Sequence, residues 1–273
     1  MQEKGSAVGD WIDQLIFESQ QHFQEAWSRM AKAGPTPVVE TRGEVDLAIA
    51  GVRLGLFNAA FPRGPLAGPN AVRQAASTAR EAFAALGVPG LFTLPSSWLP
   101  AGGAAALAEL GFRPELSNSG MRTARLEEPQ RYLGPPRAFR IDPGVAAEWM
   151  ARVNGLAYGM SPAEWESMVL PRLWMLPEVS SYAVEEGGEV AAVGAAILQN
   201  DCCYLMWMAT RPEWRRRGMA EKIVRAAWDD ARASGARLTA LHATPAGRPV
   251  YSRLGYTRIA DFPGFVWSPA TAG

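Results

Sequence analysis

The stretch Arg215-Arg216-Arg217-Gly218-Met219-Ala220 constrains this chain more than any other, because it joins an apolar run to a strongly amphipathic one. The apolar run, Cys202 to Thr210, reads as a strand. Gly218 to Ser234 reads as a long helix with Met219, Ala220, Ile223, Val224, Ala227 and Ala231 inward. The first N–H groups of a helix have no intrahelical partner and sit at its positive end, so this junction is an anion site. Gly218 and Ala220 carry little or no side chain, so an anion can approach the main chain, and the arginines add Coulomb attraction.

The surrounding elements follow from the same reasoning. A strand near Phe139 precedes Asp142-Pro143, a helix-start signal with proline where its missing N–H costs nothing. Ser161-Pro162-Ala163-Glu164 is a capping box that opens a second helix, expected to run to about Trp174. Ser181 to Glu185 and Val190 to Leu198 flank Gly187-Gly188, the pattern of a hairpin. After the long helix come a strand at Leu238 to Ala243, a short helix at Gly247 to Arg253, and terminal strands at Tyr256 to Asp261 and Phe265 to Trp267.

The first half opens with a helix from Trp11 to Met30, its apolar stripe formed by Trp11, Leu15, Phe23 and Trp27 and widened by Ile12, Ile16 and Met30. It either packs on its own chain or serves as a dimer or lid element. Gly34, Pro35 and Pro37 end it. Leu47 to Phe57 reads as one or two strands interrupted near Gly51. Asn70 is placed to cap a helix to about Leu86 with Val72, Ala75, Ala76, Ala79, Phe83 and Leu86 on one face. A buried strand at Leu91 to Leu94 and a helix at Ala104 to Leu110 follow, and Gly111-Phe112 opens the next strand. Glu127 to Pro136, with Pro129, Gly134, Pro135 and Pro136, reads as a linker.

Strand, R-x-x-G-x-A turn, long helix, strand, and a short helix ending in Tyr251-Ser252-Arg253-Leu254-Gly255-Tyr256 form an ordered set that resembles the GNAT (N-acetyltransferase) superfamily. What the resemblance implies is carried over by position. Acetyl-CoA, or another acyl-CoA, is the expected cofactor. Met208, Ala209 and Thr210, on a strand splayed from its neighbour, would pair with the pantetheine arm. The main chain of Arg215, Arg216, Arg217, Gly218, Met219, Ala220 and Glu221 would hold the pyrophosphate, and Tyr251 would protonate the departing thiolate. Transfer would be direct, with a main-chain N–H of the splayed strand polarising the thioester oxygen. His242, Glu164 and Glu166 are candidates for the base, and none is assigned. Where many relatives carry Asn before the short helix, this chain has Ala243-Thr244-Pro245.

Pro100-Ala101-Gly102 followed by Leu110-Gly111-Phe112 echoes Pro245-Ala246-Gly247 followed by Leu254-Gly255-Tyr256. In that first copy Leu107 stands where Tyr251 stands in the second. Arg63-Gly64-Pro65-Leu66-Ala67-Gly68-Pro69 replaces the phosphate turn, and Pro65 and Pro69 lack N–H groups. The chain as a whole resembles tandem GNAT proteins with a degenerate first domain. The expected fold class is α/β in the α+β mixed-sheet sense: two GNAT-like domains with central, mostly antiparallel sheets flanked by helices. Residues 1–37 would be an N-terminal helix, 38–128 the degenerate domain and 138–268 the acetyltransferase domain.

Composition narrows the partners. Lys plus Arg and Asp plus Glu number 27 each, so the basic excess that a nucleic-acid binder uses on phosphates is absent. Cys202 and Cys203 are adjacent and fall in an apolar run, so they read as buried thiols. His22 and His242 are too few to complete a metal site with them. The start of the chain lacks the pattern of a signal peptide, and no apolar run reaches the roughly 18 residues of a membrane span. A cytoplasmic setting is the default. The expected reaction is acetyl transfer from acetyl-CoA to a small-molecule amine, in a pocket between the two halves bordered by Tyr158, Trp165 and Trp174, with a homodimer left open. The alternatives are a CoA-binding module without turnover, and other acyl-CoA chemistry such as longer acyl transfer or decarboxylation.

Overall fold

In the computed structural model, residues 3–130, 133–166 and 168–269 are described. In chain order they form α1 (Glu3–Ala33), β1 (Val38–Arg42), β2 (Val45–Ile49), β3 (Asn58–Pro62), α2 (Pro69–Leu86), β4 (Gly90–Thr93), α3 (Gly103–Glu109) and β5 (Arg113–Thr123). There follow β6 (Phe139–Arg140), α4 (Pro143–Tyr158), α5 (Pro162–Glu166), α6 (Pro171–Trp174), β7 (Val179–Glu186), β8 (Glu189–Gln199) and β9 (Cys202–Thr210). The last elements are α7 (Met219–Ala233), β10 (Leu238–Ala243), α8 (Arg248–Arg253) and β11 (Thr257–Trp267). The class is mixed α/β, as expected.

The chain divides into two compact units. One holds the residues up to Met121, Ala243–Pro245 and the segment from Arg258, and the other holds Arg122–His242 with Ala246–Thr257. Strands of the first unit are ordered β1-β2-β3-β4-β11-β5. β1, β2 and β3 form an antiparallel meander, β3 and β4 are parallel, and β11 pairs antiparallel with β4 from Gly264↔Thr93 to Trp267↔Gly90. The final strand thus belongs to the first unit, whereas the sequence reading grouped 138–268 together. The reason is local: β4 is a wholly buried four-residue strand with β3 on one side only, and β11 satisfies its other edge while burying Phe265 beside Phe92. The two expected terminal strands are this one continuous strand.

In α1 the buried stripe begins at Ile16 and continues through Phe23, Ala26 and Met30. Trp11, expected on that stripe, is 62% exposed, and Ile12 is exposed too. Phe23 meets Phe61 and Phe262 edge-on at 5.5 and 6.2 Å, and Trp27 Nε1 donates to the Leu56 carbonyl at 2.6 Å. Asn70 does not cap α2. Gly68 is the cap residue, Pro69 and Asn70 are already helical, and Asn70 Oδ1 accepts instead from Arg73. The face of Val72, Ala75, Ala76, Ala79 and Phe83 is buried as read.

The second unit orders its strands β10-β9-β8-β7-β6. β7 and β8 form the hairpin expected around Gly187-Gly188, and both glycines adopt positive φ. Asp142 caps α4 by accepting from Gly144 N at 2.7 Å. The capping box is present: Ser161 N donates to Glu164 at 2.7 Å, and Glu164 N donates back to Ser161 Oγ at 3.4 Å. The helix it opens stops at Glu166 rather than near Trp174, because Pro171 starts a separate turn at a first-turn position. Helix α4 packs on β8 and β9, and α7 packs on β7, β8 and β9. Tyr182 of β7 donates to Asp230 of α7 at 2.9 Å. Cys202 and Cys203 are both free and fully buried.

Candidate active site

Strand β9 has two strand neighbours over only its first half. Cys202–Leu205 pairs in parallel with Leu238–Leu241 of β10, and the register ends there. Along β8 the pairing continues from Gln199↔Cys202 to Ala192↔Thr210, but it slips between Val193 and Ala195. At that slip Trp207 takes φ +56° in the left-handed region, which marks a β-bulge. The edge of Met206–Thr210 facing away from β8 therefore has no strand partner among the described residues. This is the splay expected around Met208, Ala209 and Thr210.

Glycine at position 194 makes the bulge possible. A Cβ there would stand 2.3 Å from Met208 Sδ and 2.8 Å from Ile223 Cγ2. From the opposite side, α4 reaches two successive carbonyls of the bulge. Asn154 Nδ2 donates to Met150 O at 2.8 Å and to Trp207 O at 3.3 Å, and Tyr158 Oη donates to Met208 O at 3.3 Å. Trp174 stands edge-on to Trp207, with centroids 5.4 Å apart. Of the aromatics expected to border the acceptor, Trp174 is buried and Tyr158 is exposed.

After β9, the turn Pro212–Trp214 leads into residues 215–218. Arg216 and Gly218 both have positive φ, +63° and +80°, and Gly218 is the cap residue of α7 with no side-chain capping bond. Intrahelical bonding begins with Lys222 N on Gly218 O. Gly218 therefore offers no side chain to the first amides of α7, which suits an anion there. The arginines are engaged differently from expectation. Arg215 donates to Ala157 O at 2.6 Å and to Thr210 O at 3.3 Å, tying the end of α4 to the end of β9. Arg217 lies 4.7 Å over the Trp214 ring and 3.8 Å from Glu186. Glu221 accepts from Arg225, which also donates to Glu127 O at 2.7 Å, and the buried Lys222 donates to Pro136 O at 2.8 Å.

Tyr251, on α8, is buried and stands edge-on to Tyr256 at 5.7 Å. Burial, and then the neighbouring Tyr158 hydroxyl, push its pKa well above the ordinary phenol value, so the hydroxyl stays protonated. Tyr158, whose hydroxyl bonds to Met208 O on β9, thus acts electrostatically on Tyr251. Met208–Thr210, the turn 215–218, Met219–Glu221 and Tyr251 all lie in the second unit.

Among the base candidates, Glu164 is committed to its capping box, where bonds from Ser161 hold its carboxyl below the usual range. His242 is the first β10 residue past the last pair with β9, and its Nδ1 shares a 2.9 Å hydrogen bond with Tyr204 Oη. No cluster of three or more His, Cys, Asp or Glu suited to a metal occurs among the described residues. No described helix is long and apolar enough to cross a membrane. Asn154 was missed by the sequence reading. Its signal was an amide on the inward face of α4, four residues after Met150 and three after Ala151, where only apolar residues are expected.

Comparison with known proteins agrees with this geometry. No curated protein matches the chain. Among solved structures, a GCN5-related N-acetyltransferase from Kribbella flavida superimposes with a TM-score of 0.66 at 19% identity, covering 90% of this chain and 95% of that one. A functionally unknown conserved protein from Staphylococcus epidermidis gives 0.64 at 11% identity over 85% and 94%. A GCN5-related N-acetyltransferase from Sphaerobacter thermophilus gives 0.55 at 14% over 82% and 76%. At these identities the likeness is one of fold. The sequence match falls on the second unit, where residues 177–258 fit the family model for the acetyltransferase (GNAT) domain. The segment from just before β7 to the start of β11 accordingly matches the GNAT acetyltransferase domain model.

Proposed function

We propose that the protein transfers an acetyl group from acetyl-CoA to the amine of a small molecule, directly and without an acyl-enzyme. The observation that carries this reading is the uncapped start of α7, entered through a positive-φ turn immediately after a strand whose distal half has no partner on one side. Those residues suit the two ends of a coenzyme A: main-chain amides of Arg215–Glu221 for the pyrophosphate, and the open edge of Met208–Thr210 for the amide-bearing pantetheine arm. Acetyl-CoA supplies an activated thioester. Tyr251 remains protonated and so can donate a hydrogen bond to the sulfur as negative charge develops there.

The acceptor must lose a proton before it attacks. An alkylamine with a pKa near ~10.4 is mostly ammonium at neutral pH, which adds roughly 4–5 kcal/mol to the barrier. Of the base candidates, Glu164 is poorly suited because bonds from Ser161 to its Oε2 lower its basicity. In this reading the first unit is a degenerate GNAT-like domain, with Leu107 standing where Tyr251 stands in the second.

Calorimetric titration of acetyl-CoA into the wild type and into Gly218→Glu tests the proposal. Binding by the wild type, abolished by a carboxylate at the α7 cap, is the expected result, and an amine panel then reads transfer. Wild-type protein that binds no acetyl-CoA would overturn the reading. Acetyl-CoA binding with no transfer to any amine would leave a binding module, and release of free CoA without an amine would indicate other thioester chemistry.

A further inference from the structure

We propose that Asn154 is a positioning residue for acyl transfer: it holds the β9 bulge so that the Met208 N–H keeps a fixed aim. The inference rests on the acetyltransferase reading above and assigns a residue that reading does not include. A peptide unit is planar and trans, so the Trp207 carbonyl and the Met208 N–H point in opposite directions. Whatever grips the carbonyl therefore aims the N–H. Asn154 grips that carbonyl through Nδ2 at 3.3 Å.

The bulge needs such a grip. A tryptophan at φ +56° occupies a region that bulky residues avoid, and a strained residue of this kind persists only where its surroundings over-determine it. The surroundings are Asn154 on the Trp207 carbonyl, Tyr158 on the next carbonyl, and Trp174 against the Trp207 ring. Of these three, Tyr158 is exposed and Trp174 contributes ring contact, so Asn154 is the buried polar one.

Asn154 is also an expensive choice for packing alone. It is 3% exposed on a helix face otherwise made of Ala146, Ala147, Met150, Ala151 and Val153. Asparagine is a poor helix former, and a buried amide costs free energy unless it is bonded. One N–H bonds back to Met150 O at 2.8 Å, which fixes the rotamer, while the same nitrogen addresses β9. The bulge starts just past Leu205, where β9 parts from β10. A main-chain donor that polarises a thioester carbonyl works only if it is held in place before the charge develops.

The test compares Asn154→Leu, similar in shape and apolar, with Asn154→Asp, similar in shape and lacking the donor. In free protein, hydrogen exchange at Met206–Thr210 should quicken in both variants while β7 keeps its protection. With acetyl-CoA and an accepted amine, kcat should fall on the order of ten- to hundred-fold, and the acetyl-CoA Kd should stay within about two-fold. Wild-type kcat in either folded variant overturns the proposal. So does a kcat loss accompanied by faster exchange throughout the unit and weakened acetyl-CoA binding, which would mark Asn154 as merely structural. Should the buried carboxylate unfold Asn154→Asp, Asn154→Leu decides alone. A wild type that transfers to no amine overturns the acetyltransferase reading itself and the role with it, whereas an active wild type matched by its variants overturns only the role of Asn154.

Discussion

Replacing Gly194 by alanine should destabilise the second unit by an amount the geometry bounds. Carbon and sulfur atoms in contact sit about 3.5–4 Å apart. The new methyl would stand 2.3 Å from Met208 Sδ, 3.1 Å from Met208 Cε and 2.8 Å from Ile223 Cγ2. Ile223 is fully buried in α7 and has nowhere to go, so most of the relief must come from Met208. An unbranched thioether on a half-buried strand can swing aside, which puts the cost in the lower part of the overpacking range, about 1–2 kcal/mol. At about 3–5 °C per kcal/mol for a unit of this size, Gly194→Ala should melt about 3–10 °C below wild type. Met208→Ala removes two of the three offending atoms, so the double variant should recover part of the loss, with a coupling of at least ~0.5 kcal/mol in a double-mutant cycle. Differential scanning fluorimetry with denaturant titration measures both quantities. Wild-type melting in Gly194→Ala, or a double variant that simply adds the two losses, would refute the claim that this glycine exists to admit Met208.

Tyr251→Phe should lower kcat on the order of a hundred-fold or more while leaving the acetyl-CoA Kd unchanged, as steady-state kinetics and calorimetry would show. Because burial keeps the Tyr251 hydroxyl protonated, ionisation of this residue should produce no limb in the wild-type pH–rate profile below about pH 10. The two thiols make a separate prediction about alkaline stability. Burial pushes Cys203 up to about 12 and also raises Cys202, while an unfolded thiol ionises near ~8.5. Between those values the unfolded chain binds fewer protons than the native one, so stability is fully present below about pH 8.5 and falls as pH rises. Denaturant midpoints measured from pH 7 to 10 should decline with a shallower slope in a Cys202→Ala/Cys203→Ala variant. An identical slope would remove the thiols as the cause.

What the sequence revealed, and what it did not, divides along physical lines. The strand at Cys202 to Thr210, the helix after Gly218 and the Gly187-Gly188 hairpin were legible because each is specified by local periodicity and by residues whose backbone preference is strong. Asp142 and Ser161 were legible for the same reason, since an N-cap is chosen by side-chain chemistry within three residues. The failures involve competition, either with a neighbouring residue or at longer range. Trp11 continues the stripe of α1 by spacing, yet none of the described residues of its unit covers it, and it remains exposed. Asn70 is a good cap in isolation, but Pro69 already fits the first helical turn and shifts the start by two residues. The assignment of β11 to the first unit has no local signal at all, because it is decided by an unfilled edge on β4. Asn154 was written into the pattern as an amide on an apolar face, but its bond to the Trp207 carbonyl, 53 residues away, has no signal in the spacing.

The turn after β9 carries the same lesson into chemistry. Three successive arginines in front of a helix suggest that charge makes the anion site, but the geometry assigns two of them other work. Arg215 is bonded to the carbonyls of Ala157 and Thr210, and Arg217 is stacked on Trp214 beside Glu186. What they stabilise is the path of the main chain: Arg215 ties α4 to the end of β9, and Arg217 anchors the turn against Trp214, three residues before it. That path turns through Arg216 and Gly218 at positive φ, so that amides at the start of α7 are left uncapped. An anion bound there would be recognised chiefly by amides and the helix dipole, with the arginines acting at one remove. A carboxylate introduced at Gly218, next to those amides, is for that reason a sharper probe of the site than charge removal at Arg217.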